Sequence, residues 1–127
     1  MRFNHNIVQN IIEANFMEDV AERVSTDVWN MSGIHMDGLF ERDVDLVDLD
    51  DLLGFRIDKF QVADWDNATH VAGIITVFVS VDGISRYDGE DITVGSADIP
   101  LRYRFFFTVQ GGKYDEFELM SAPLSDR

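Results

Sequence analysis

The sequence predicts an α+β fold: an N-terminal amphipathic helix packed on a four- to five-stranded, mainly antiparallel sheet. Three observations lead there. Val8, Ile12, Phe16, Val20 and Val24 recur at every fourth position, the spacing of a helix face. From Phe55 onward the apolar residues alternate with period two, as half-buried strands require. Clusters of Asp, Asn and Gly punctuate that second half where turns would fall.

The helix comes first. Ile7, Ile11, Met17, Ala21 and Val28 widen its apolar stripe, and Gln9, Asn10, Glu13, Glu18, Asp19, Glu22 and Arg23 face the other way. Asn4 suits the N-cap, because its side-chain oxygen can accept a free backbone N–H. Phe3 and Val8 flank that cap with the spacing of a hydrophobic staple. One continuous helix is expected, fading near Ser25 to Trp29. Between Asn30 and Asp51, Gly33 and Gly38 interrupt any long element, and Leu46, Leu49, Leu52 and Leu53 suit either a short helix or turn or a loop.

Phe55 and Ile57 then alternate with polar residues, and the phase slips to Phe60 and Val62, which suggests a bulge near Asp58-Lys59. Asp64 to Thr69 reads as a turn. His70 to Asp82 is apolar on both faces, with Val71, Ile75, Val77, Val79 and Val81 on one and Ala72, Ile74 and Phe78 on the other, the profile of a covered central strand. Asp82-Gly83 signals the next turn, followed by a Gly- and Asp-rich connection through Gly95. Ile99 to Gln110 sets Tyr103, Phe105 and Phe107 on one face and Arg102, Arg104 and Phe106 on the other. Between this strand and Tyr114–Ala122, a three-residue loop from Gly111 to Lys113 would pair Phe107 with Phe117 and Phe105 with Leu119. A two-residue Gly-Gly loop would instead set Glu116 and Glu118 opposite those phenylalanines, on the core face. The three-residue register also puts Arg104 diagonal to Glu118, in reach of a cross-strand ion pair. Pro123 and the polar tail end the fold, and residues 1–127 read as a single domain.

The chain is formally −14 at pH 7. Ten carboxylates lie between Asp37 and Asp66 against Arg42, Arg56 and Lys59, so that window alone carries −7. Such a surface repels nucleic acid and anionic membranes and attracts basic proteins or cations. The hydrophobic content of 46% is too high for charge-driven disorder. The absence of cysteine excludes disulfides, thiolate zinc sites and Cys nucleophiles, and it favours a cytoplasmic location. No signal peptide is expected at the N-terminus, and the run from Val71 to Val81 is too short to span a membrane.

No motif fixes a reaction. The carboxylates Asp43, Asp45, Asp48, Asp50 and Asp51 are hard oxygen ligands, but they lack the glycine and the twelfth-position Glu of an EF-hand loop. His5, His35 and His70 have no ligand-like spacing; surface or capping roles suit them better. There is no nucleophile elbow, Walker loop or dinucleotide fingerprint. No catalytic residue, metal or cofactor is therefore expected.

The pattern predicts instead a small acidic protein-binding module. It would inhibit by occupying a basic nucleic-acid-binding surface of a partner, as small acidic mimics of DNA or RNA from phages and mobile elements do; the analogy is one of charge alone. The residues expected to carry binding are Asp43, Asp45, Asp48, Asp50, Asp51, Asp64 and Asp66, with Phe106 on the sheet face. Two alternatives stand beside it. One is a chaperone- or antitoxin-like partner, or a homodimer, docking through an apolar sheet face of Phe106, Ile74 and Phe78. The other is a ligand pocket or enzyme formed where the helix covers a curved sheet. The plain reading of the charge is solubility.

Overall fold

The structure, a computed structural model, describes residues 3–30 and 44–121. Two helices, α1 (His5–Asn15) and α2 (Met17–Trp29), precede four strands: β1 (Leu46–Trp65), β2 (Ala68–Tyr87), β3 (Glu90–Gln110) and β4 (Lys113–Ser121). The strands form one antiparallel sheet in the order β1-β2-β3-β4. The class is α+β, with four strands among the described residues. Contacts divide the chain into two compact units. Unit 1 comprises Met1–Val20, Phe55–Val77 and Arg102–Arg127; unit 2 comprises Ala21–Gly54 and Phe78–Leu101.

Asn4 caps α1 as its chemistry dictates: its Oδ1 accepts from the Ile7 N–H at 2.9 Å. The predicted single helix, however, is two. Phe16 leaves helical geometry at φ −127°, ψ 10°. Its N–H still donates to the Ile12 carbonyl, and its own carbonyl accepts from Val20 N–H. One residue thus closes α1 and opens α2. The Asn15 side-chain amide satisfies the Ile11 carbonyl at 2.8 Å, and Glu18 and Asp19 place negative charge in the first turn of α2. The break aims the Phe16 ring at the sheet, where it stacks on Phe117 with centroids 4.5 Å apart and leans on Phe107 at 5.5 Å.

Leu46 to Leu53 is strand, correcting the expected helix, turn or loop. Val47 is buried and Leu49 half-buried, while Asp48 and Asp50 point to water. The alternation slips at Asp50–Asp51, and that slip gives the leucines their misleading helical spacing.

Two-residue turns join all four strands. Asp66-Asn67, Asp88-Gly89 and Gly111-Gly112 each have positive φ at both positions, the geometry of the primed turns whose twist matches a hairpin. Asp82-Gly83 is not a turn, as the sequence had suggested. β2 runs through it to Tyr87, and the supposed Gly- and Asp-rich connection is the end of β2 and the start of β3. Gly83 is buried, and Asp82 accepts a hydrogen bond from Ser96 Oγ at 2.6 Å.

The β3–β4 loop also differs from expectation. It has two residues, with Gln110 opposite Lys113 and Thr108 opposite Asp115. The register then shifts between Phe106 and Thr108, so that Phe106 faces Glu118 and Phe105 faces Leu119. Glu116, at φ 57°, lies in the stretch of β4 that takes up the extra residue. The bulge restores what the short loop would have lost: apolar side chains stay on the core face. Phe105, Phe107 and Tyr103 are buried there in unit 1 with Val71, Ile75 and Val77; Val79 and Val81 are buried in unit 2. Each such burial is worth about 1.5–3 kcal/mol. The opposite face of β2 is not fully covered: Ile74 and Thr76 are buried, but Ala72 and Phe78 are only half-buried.

Two predictions follow from this packing. At Gly73 an added Cβ would meet the Lys59 carbonyl oxygen, the Phe60 Cα at 2.8 Å and a Phe105 ring carbon at 2.9 Å. Two of these are backbone atoms that cannot move aside, so Gly73→Ala costs about 1–3 kcal/mol in a denaturant titration. Deleting Glu116 removes the bulged residue and leaves a regular hairpin with the same pairing beyond it. NMR cross-strand contacts between Phe105 and Leu119 persist in the deletion variant; a register with Phe105 against Glu118 would refute the role given to the bulge.

Candidate functional site

The carboxylates expected to bind a partner fall into two sets. Asp45, Asp48, Asp50 and Asp51 belong to unit 2, Asp64 and Asp66 to unit 1 with Phe106. Asp43 and His35 lie outside the described residues.

In unit 2, Asp45 fastens the entry to β1. Its N–H donates to the Ile84 carbonyl at 2.8 Å, and its Oδ2 accepts from the Arg86 N–H at 2.7 Å. Asp48 and Asp50 follow on alternate positions, about 6.7 Å apart on one face of the strand. Asp48 accepts from the Leu49 N–H at 3.0 Å, and Asp50 accepts from Ser80 Oγ at 3.4 Å. Asp51 is also exposed. Among its described residues unit 2 holds eleven carboxylates against Arg23 and Arg86. Both arginines are already engaged, by Asp27 at 3.0 Å and Asp91 at 3.2 Å. The described part of unit 1 has nine carboxylates against five basic side chains. The negative field therefore originates mostly in unit 2.

In unit 1, Asp64 braces the first hairpin by accepting from Thr69 Oγ1 at 2.6 Å, and Asp66 is the first residue of its turn. Next to them is an aromatic stack. His70 lies flat against Trp65, with centroids 3.8 Å apart and planes 8° apart, and its other neighbour is Phe106 at 6.0 Å. His70 Nε2 is 3.3 Å from the Trp65 carbonyl oxygen. Trp65 remains 60% exposed. His5 meets Phe60 edge to face at 5.2 Å.

Phe106 also lines an open groove of about 620 Å³ on this face of the sheet. Ile74, Phe60, Ala72 and Met120 complete its apolar wall, and Lys59, Arg104 and Glu118 stand at it. Arg104 is diagonal to Glu118 in the register, but no ion pair joins them.

A polar cluster that sequence reasoning missed lies on the same strands. Asp58 accepts from Thr76 Oγ1 at 2.5 Å and from Arg56 Nε at 2.8 Å. Partial burial pushes this carboxyl up. The Thr76 hydrogen bond, the bond to and charge of Arg56, and the charge of Arg102 together outweigh burial and hold it below the ordinary Asp range. The sequence signal was Thr76, the one hydroxyl within the apolar run Val71–Val79 of β2.

Comparison with known protein families, characterised proteins and solved structures finds nothing that matches this chain. Among the described residues, no three His, Asp or Glu side chains converge as metal ligands, and no helix is long and apolar enough to cross a membrane.

Thr76→Val tests the Asp58 cluster. The variant keeps the shape of a 6% exposed side chain and removes its donor. Asp58 then titrates at higher pH than in the parent, read by carboxyl NMR. A depressed carboxyl pKa stabilises the fold above the unfolded value of about 3.9 and ceases to do so as pH falls through the folded value. The variant is therefore less stable by about 1 kcal/mol at pH 7, and the difference closes as the pH falls below about 4.

Proposed function

We propose that this chain is an acidic protein-binding module that occupies a basic, nucleic-acid-binding surface of a partner protein. The observation that carries the reading is the concentration of eleven carboxylates against two paired arginines among the described residues of unit 2. Asp48, Asp50 and Asp51 are exposed, and they stand on a strand rather than on a loop. A strand holds successive outward carboxylates at a fixed interval comparable to that of phosphates along a nucleic-acid strand. A partner groove that condenses counterions or binds phosphate would release anions on taking this surface, and that release supplies affinity. In this reading α1 shields the apolar side of unit 1, the protein binds neither nucleic acid nor membrane directly, and it works in the cytoplasm without a catalytic step or cofactor.

The test uses the triple variant Asp48→Asn, Asp50→Asn and Asp51→Asn. It spares Asp45, whose carboxylate holds β1 to the Arg86 backbone. The parent retains a basic protein from nuclease-treated lysate, releases it at moderate salt, and yields it to competing duplex DNA or RNA. The triple variant binds that protein at least tenfold more weakly and with a shallower dependence on salt, while its thermal unfolding is unchanged or improved. Undiminished binding by the triple variant would exclude the charge mechanism.

A further inference from the structure

The groove on the outer face of unit 1 carries an inference independent of the acidic surface. We propose that it binds an amphiphilic carboxylate: a fatty or aryl acid whose apolar body lies along Ile74, Phe106 and Met120 and whose carboxylate is taken by Arg104.

Size supports a small molecule. At about 620 Å³ the groove falls within the range of sites for small organic ligands. Its wall is apolar where a ligand body would lie: Phe60, Ala72, Ile74, Phe106 and Met120 contribute, and Met120 is 51% exposed. The bulge that sets Phe106 against Glu118 increases local twist beside this wall. Leaving such a concave apolar surface wet has a cost that a ligand body would relieve.

Charge selects the ligand's head. Two of the five described basic side chains of unit 1, Lys59 and Arg104, stand at this one groove. Neither forms an ion pair or side-chain hydrogen bond with a described residue. By contrast Arg56 is held by Asp58. The groove has one carboxylate, Glu118, so its local balance is positive in a chain of net −14. Arginine presents a planar fork that matches a carboxylate in two parallel hydrogen bonds. A cationic amphiphile would find only Glu118 and two repelling cations.

The protein's overall charge makes the test sharp, because the net field favours cations while the groove favours an anion. Decanoate and decyltrimethylammonium share an alkyl chain and differ in head charge. Each is titrated into the 127-residue chain below its micellar concentration and followed by NMR. Decanoate shifts the Ile74, Phe106 and Met120 signals saturably, and decyltrimethylammonium binds there at least tenfold more weakly. Arg104→Gln weakens decanoate about tenfold or more, the scale of a lost charge-assisted hydrogen bond. Met120→Trp, which fills the groove from an exposed position, abolishes the shifts while leaving the fold spectrum intact. The proposal is overturned if the cationic probe binds as well as decanoate, or if Arg104→Gln binds decanoate like the parent. It is also overturned if the groove instead holds a second copy: sedimentation would then show a dimer that Met120→Trp dissociates, with no saturable decanoate shift.

Discussion

Like charge on neighbouring strands is the constraint that the rest of this structure answers. The chain has 24 carboxylates and 10 Lys and Arg residues, too few cations to neutralise each acid. Its sheet uses hydroxyls instead. Asp64, Asp58 and Asp50 on β1 accept from Thr69, Thr76 and Ser80 on β2, and Asp82 on β2 accepts from Ser96 on β3. A hydroxyl satisfies a carboxylate's lone pairs and leaves its charge in place. The strands are thereby tied together without weakening the negative field, and stability and the proposed binding property do not compete.

The remaining order comes from turn geometry. Three two-residue turns fix where each long strand reverses, and the bulge in β4 corrects the one reversal that would have put carboxylates in the core. The cost of a non-glycine residue at positive φ, on the order of 1–2 kcal/mol, is accepted at Glu116 because the alternative is Glu116 and Glu118 packed against phenylalanine.

Much of this was legible in the sequence. The Asn4 cap, the apolar faces of β2 and β3 and the pairing of Phe105 with Leu119 follow from side-chain chemistry and period alone. The break at Phe16 was hidden because Phe16 belongs to the apolar stripe of both helices, and no Gly or Pro marks it. Asp82-Gly83 and Asp88-Gly89 are the same dipeptide. Only the second became a turn, since the carboxylate of the first is held by Ser96 within the sheet. The acidic site was legible as composition but not as geometry: sequence could not separate Asp48 and Asp50, exposed on the strand face, from Asp45, which anchors the strand. The groove needs side chains from all four strands, and the Asp58 cluster needs a contact across eighteen residues, so neither leaves a local trace.

Among the described residues β1 is an outer strand of the sheet, twenty residues long, with one backbone edge that no described strand pairs. Edges of that length invite intermolecular pairing, and natural sheets guard them with charge. Here, in the first half of β1, the exposed charges are Asp48, Asp50 and Asp51 rather than the commoner lysines. A variant stripped of those aspartates would leave a twenty-residue edge with little like-charge repulsion between copies. Protection of this edge against pairing with a second copy then rests on the same side chains as the proposed partner binding.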